Sequence, residues 1–124
     1  MSLAYGDAGR YAEIERLIKR NRHISAHLVL AVDSRTIKAV RTRITEKDLP
    51  VLVQMMGDKE YSVAAAASLL LVTLGKPAAP ALAEAARGKD VAAANHARSA
   101  LQLLDNCYNE ALRPTNNPDL CPAR

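Results

Sequence analysis

The chain has 124 residues, close to half of them apolar, and a formal charge of +4. That length gives room for one core of ordinary size and excludes a second such domain. The apolar content is Ala, Leu and Val, with four Tyr and no Trp or Phe, which points to closely packed helices and away from an all-β fold. The longest apolar run, Val63 to Leu74, falls short of the roughly 20 residues of a membrane span.

The charge is uneven. Residues 1–48 hold ten Lys/Arg against six Asp/Glu, and residues 49–124 hold seven against seven. No signal-peptide pattern is recognisable at the start, where Met1-Ser2-Leu3 resembles a leader left by recombinant expression.

From Ala8 to Asn21, Tyr11, Ile14, Leu17 and Ile18 recur with helical spacing and charges fill the opposite face, which predicts an amphipathic helix. Glu15 and Lys19 form an i,i+4 pair on it. Ile24, Leu28 and Val32 are four apart and predict a further helical segment over 24–32. Asp33 or Ser34 then caps a short helix that carries Ile37, Val40 and Ile44. His23 and His27 have the spacing of two zinc ligands, but the sequence places no third ligand beside them, so no metal site is assigned.

Asp48 is in position to cap a helix from Leu49 to Met56, with Pro50 in its first turn and Gly57 at its end. A longer helix follows to Leu74, burying Val63, Ala64, Ala67, Leu70, Leu71 and Leu74 and stopped by Gly75. The cycle then restarts. Pro77 opens a helix through Leu82 to Arg87, Gly88 ends it, and Asp90 caps a last helix whose predicted stripe is Ala94, Ala97, Leu101 and Leu104. Laid over one another at a constant offset, the two copies share Pro50/Pro80, Leu52/Leu82, Lys59/Lys89, Ala64/Ala94, Ala67/Ala97, Leu71/Leu101 and Leu74/Leu104. A period of this size signals stacked helical repeats.

The pattern Val63, Ala67, Leu70-Leu71, Leu74-Gly75 and its copy Ala93, Ala97, Ala100-Leu101, Leu104-Asp105, each preceded by a Pro-initiated helix and a Gly-containing turn, resembles HEAT-like repeats of the short bilin-lyase type. The resemblance covers residues 48–106. It implies an all-α fold, an α-α superhelix of HEAT-like helical repeats with an irregular N-terminal helical cap. One domain is expected over residues 1–112, divided into a cap (8–47), a repeat (48–75) and a second repeat (76–106), with a tail over 113–124. Many such repeats carry an Arg where this chain has Ala64 and Ala94, so packing by small residues replaces the charge ladder that Arg supports.

No nucleophile with its base, carboxylate pair or phosphate loop is visible, so no catalytic residue and no cofactor is assigned. The expected function is a non-enzymatic module or scaffold that binds a protein partner or a second copy of itself. The resemblance puts its binding face on the second helix of each pair, where the positions left outside the buried stripe include Tyr61 and Ser68 on the first copy and Asn95, Arg98 and Gln102 on the second. The alternative is a nucleic-acid surface built on the N-terminal basic clusters Arg16, Lys19, Arg20, Arg22 and Arg35, Lys38, Arg41, Arg43, with Arg35, Lys38 and Arg41 at its centre. The resemblance also implies, less directly, a tetrapyrrole lyase or chaperone. Cys107 follows the last repeat and Cys121 lies in a polar tail where a free thiol is out of place, which favours a disulfide that tethers the tail and a periplasmic or secreted location over a cytoplasmic one.

Overall fold

A computed structural model describes residues 3–24, 30–31, 33–109 and 120–122, with side chains from residue 9 onward except over 23–32. These residues form an all-α arrangement of six helices. They are α1 (Leu3–Arg20), α2 (Ser34–Arg41), α3 (Leu49–Met55), α4 (Tyr61–Leu74), α5 (Ala79–Ala86) and α6 (Val91–Cys107). One hydrophobic cluster runs through all six and takes in Cys121.

α1 follows the predicted stripe, with Ile14 and Ile18 fully buried and Tyr11 and Leu17 packed at the edge of the core. Fully burying a branched side chain of this size stabilises by about 1.5–3 kcal/mol, so these two residues are anchors of α1 on the core. Lys19 and Arg20 occupy the last turn, where cations oppose the negative end of the helix dipole.

The helical segment expected over 24–32 is not formed at its ends. His23–Ile24 (β1) and Leu30–Ala31 (β2) pair antiparallel, His23 opposite Ala31 and Ile24 opposite Leu30. The helical spacing misled at Ile24 because β-branched apolar residues serve a strand as readily as a helix, and short apolar runs do not separate the two; Leu28 and Val32 lie outside the described residues. His27 lies outside the described residues.

Asp33 caps α2 as expected. Its carboxylate accepts the Arg35 and Thr36 N–H groups at 3.0 and 3.1 Å, and the Thr36 hydroxyl closes a capping box. That hydroxyl, on a fully buried residue, also donates to the Asn21 carbonyl at 2.7 Å and so ties the end of α1 to the start of α2. Ile37, Val40 and Ile44 are buried, the last beyond the helix end.

A 3-10 turn, Glu46–Asp48, leads into α3, and another, Lys76–Ala78, leads into α5. The turn, short helix and long helix therefore start at Glu46, Leu49 and Tyr61 and again at Lys76, Ala79 and Val91, each start one repeat period after its counterpart. Asp48 does not cap α3. Its side chain reaches back to the Thr45 N–H at 3.0 Å and meets the Arg10 guanidinium through Nε at 2.8 Å and Nη2 at 2.9 Å. This paired fork holds the Asp48 carboxyl below its ordinary range. Asp90 does cap α6, accepting the Ala93 N–H at 3.1 Å.

α4 is the central helix, in contact with α1, α2, α3 and α6. From Ser62 to Leu74 only Ala65 and Leu69 are not buried, so the one-sided stripe predicted for it is replaced by burial all round. Tyr61–Leu74 contains no charged residue, the composition of a helix with no solvent face. Its exit is fixed by Gly75 at φ +84°, where only glycine is unstrained.

Cys107 and Cys121 are joined by a disulfide with Cα atoms 5.6 Å apart. The bond lays Leu120 against the core and buries Pro122. A Cβ at Gly75 would stand 2.9 Å from the Tyr108 hydroxyl and 3.4 Å from Pro122, so the tethered segment sits on the corner where α4 ends.

Candidate interaction face

Tyr61, the first residue of α4, is 77 % exposed and Val91, the first residue of α6, is 70 % exposed. The Tyr61 ring lies 5.2 Å from the half-buried His96 imidazole at a tilt of 53°. Burial pushes the His96 pKa below its ordinary value, which keeps the ring neutral near pH 7. Tyr61 and Val91 are the first residues of α4 and α6, so an aromatic and an aliphatic side chain stand exposed at the same end of each long helix.

Asn95, Arg98 and Gln102 are all exposed on α6. The spacing of three and four residues places them in one row. Arg98 is not free for a partner alone: Nη1 donates to the Ala86 carbonyl at 3.2 Å, satisfying the last turn of α5, and Nη2 donates to the Asn95 side-chain oxygen. Gln102 donates to the Asn106 side chain at 3.2 Å.

Ser68 does not lie on this face. It is buried, its hydroxyl donates to the Ala65 carbonyl at 2.7 Å, and Val72 one turn on is fully buried. The expectation that Ser68 was a surface position failed because α4 has helices packed on several sides. Comparing the long helices position by position sharpens the point. Ser68 and Val72 of α4 are buried, whereas their counterparts Arg98 and Gln102 of α6 are exposed, and Leu69 corresponds to the exposed Ser99. At these three pairs the residue type follows solvent access: small or apolar on α4, polar on α6.

The basic residues are divided among several partners. Arg35 pairs with Asp33 at 3.2 Å, Arg41 donates to the Ile44 carbonyl at 3.1 Å, and Lys38 is exposed. Glu60 gathers Lys19 at 2.9 Å and Arg22 at 3.0 Å, and Arg22 also donates to the Ser62 hydroxyl at 2.8 Å. Those two cations hold the Glu60 carboxyl below its ordinary range.

Two concavities were not foreseen. An apolar groove of about 540 Å³ runs between α3 and α5, walled by Leu49, Pro50 and Val53 on one side and Ala81 and Ala85 on the other. A polar cleft of about 220 Å³ is lined by Arg10, Glu13, Arg16, Leu17 and Arg20 of α1 and by Arg43. The groove follows from the pairing of α3 with α5 and had no signature in either helix alone. The cleft had a signal, the recurrence of Arg10, Arg16 and Arg20 along α1, but its fourth arginine comes from the turn beyond α2, far along the chain.

Among the described residues no three His, Cys, Asp or Glu side chains gather as a metal site, and no helix is long and apolar enough to cross a membrane. No protein-family model, no curated protein and no solved structure matches this chain.

Proposed function

We propose that the chain is a non-enzymatic helical-repeat module of the HEAT-like kind that binds a protein partner through the starts of α4 and α6 and the exposed row on α6. The observation that carries this reading is the exposed Tyr61 ring backed by His96, with Val91 at the equivalent position of the next copy. An exposed aromatic held by a neighbour loses little further freedom on binding, which is why Tyr so often anchors interfaces. Asn95, Arg98 and Gln102 supply the polar rim. The recurrence of turn, short helix and long helix after one period supports the repeat reading, and the disulfide supports an exported protein, periplasmic or secreted.

A photo-crosslinking residue at position 61 tests the face, with the same residue at position 53 in the α3–α5 groove and at position 38 as references. In native extract, position 61 should capture one discrete species, a partner or a second copy, and positions 53 and 38 should not. Tyr61→Ala should then weaken that complex about 30-fold, the loss expected of an interface anchor. Equal labelling from all three positions would remove the reading, and labelling from position 53 alone would move the interface to the groove.

A further inference from the structure

Two basic stretches from separate parts of the sequence meet in the polar cleft beside α1, and the way Arg10 is bonded explains how. Its guanidinium grips Asp48 by two bonds, donates to Glu13 at 2.6 Å, and donates through Nη2 to the Arg43 backbone carbonyl at 2.5 Å. One side chain therefore pins the turn that carries Arg43 against α1 and at the same time occupies Glu13, the only carboxylate among the described residues of the cleft lining. Arg16, Arg20 and Arg43 remain around the same cavity, and among the described residues no carboxylate pairs with any of them.

Like charges four apart on a helix are mildly destabilising, so Arg16 and Arg20 are unfavourable to the fold unless something answers them. Other cations of this half are answered: Lys19 and Arg22 by Glu60, Arg35 by Asp33, Arg41 by the Ile44 carbonyl. Lys38 and Lys47 are exposed and stand outside the cleft, whereas Arg16, Arg20 and Arg43 share one hollow of about 220 Å³, a cluster and not the stripe that a nucleic-acid backbone requires.

We infer that this cleft binds a small phosphate, either inorganic phosphate or a phosphate monoester, held by the guanidinium groups of Arg16, Arg20 and Arg43. Guanidinium forks match tetrahedral phosphate oxygens, and three of them answer a dianion where a carboxylate would leave most of their charge standing. Leu17 gives the cavity an apolar wall against which the organic part of a monoester can rest. The inference is independent of the protein-binding face.

Calorimetric titration of the full chain, disulfide intact, tests it at pH 8 and matched ionic strength with inorganic phosphate, phenyl phosphate, acetate and a ten-nucleotide single-stranded DNA as probes. At least one of the two phosphates should bind with Kd below about 1 mM, and acetate at least about tenfold more weakly. A tighter phenyl phosphate identifies a monoester as the ligand, and a tighter inorganic phosphate identifies the free ion. Arg20→Gln and Arg43→Gln should each weaken binding about tenfold, as loss of a charged hydrogen-bonding partner does, while Lys38→Gln leaves it unchanged. All three positions are exposed, and circular dichroism verifies that the variants keep their helices. Acetate binding as tightly as phosphate, equal losses from Lys38→Gln and Arg43→Gln, or DNA binding more tightly than either phosphate would overturn the site.

Discussion

Asp48 illustrates how a side chain chosen by one rule is used by another. Its position before Leu49 and Pro50 marks it as a helix cap, yet its carboxylate turns back to the Thr45 N–H and across to Arg10, and the α3 start is left to the 3-10 turn. The long-range partner wins over the local one because a two-pronged charged pair at 10 % and 28 % side-chain exposure is stronger than a single cap bond. Asp48→Ala should therefore cost about 2 kcal/mol in denaturant unfolding, since it removes the two-pronged partner of a part-buried guanidinium and leaves it only Glu13 and the Arg43 carbonyl. The sign of the pH dependence follows from the depressed Asp48 carboxyl. Stability from this pair is fully present above the ordinary aspartate value of about 4 and is lost as pH falls through the lower folded-state value. Asp48→Asn should accordingly flatten the acid limb of a plot of Tm against pH; an unchanged limb would show that the pair contributes nothing. The cap of α2 was legible as Asp33 or Ser34 because its partners lie within three residues, whereas Arg10 is 38 residues from Asp48 and nothing in the local sequence names it.

Between the two long helices, the sequence copies are similar and the surroundings are not. The sequence located α3 to α6 to within two or three residues, since Pro50 and Pro80 in the first turns, Gly57, Gly75 and Gly88 after the helix ends and the Asp90 cap mark starts and stops that depend on neighbouring residues alone. It did not reveal which of α4 and α6 is enclosed, because that depends on what packs from elsewhere in the chain. Exchanging one matched pair separates the two environments. Val72→Gln puts the α6 residue into α4, where an unpartnered amide is buried, and should destabilise by about 3 kcal/mol from lost apolar burial and unmet hydrogen bonds. Gln102→Val, the reverse exchange on an exposed site, should stay within about 0.5 kcal/mol of the parent in the same urea titration. Comparable losses from both would mean that α6 is covered as α4 is.

For the chain taken entire, the disulfide is the one covalent tie between distant parts of the fold, across 14 residues of sequence. Closing a loop of this length restricts the unfolded chain by about 3 kcal/mol in the chain-entropy account. Cys121→Ser should lower unfolding free energy by about that amount, and reductant should do the same to the parent but not to the variant. Gly75→Ala should cost more than about 1 kcal/mol, because its φ of +84° is unfavourable to any side chain and the added methyl meets the Tyr108 hydroxyl at 2.9 Å. A Tm equal to the parent's would show that the corner is able to relax. The two cysteines were readable as a pair from their settings, but where the tail would come to rest was not, since Pro122 meets Gly75 only after the helices between them have been assembled.

That resting place has a consequence for how the molecule opens. The Lys76 N–H donates to the Tyr108 hydroxyl at 3.2 Å, the Lys76 ammonium lies 5.0 Å from the Tyr108 ring, and Pro122 sits against Gly75, so the final turn of α6 is latched to the exit of α4. The ends of helices ordinarily fray first and exchange their amide hydrogens fastest. Here the last turn of α6 is fastened to the most enclosed helix of the fold, and its amides should exchange on the time scale of α4 until the disulfide is reduced, after which they should exchange ahead of it.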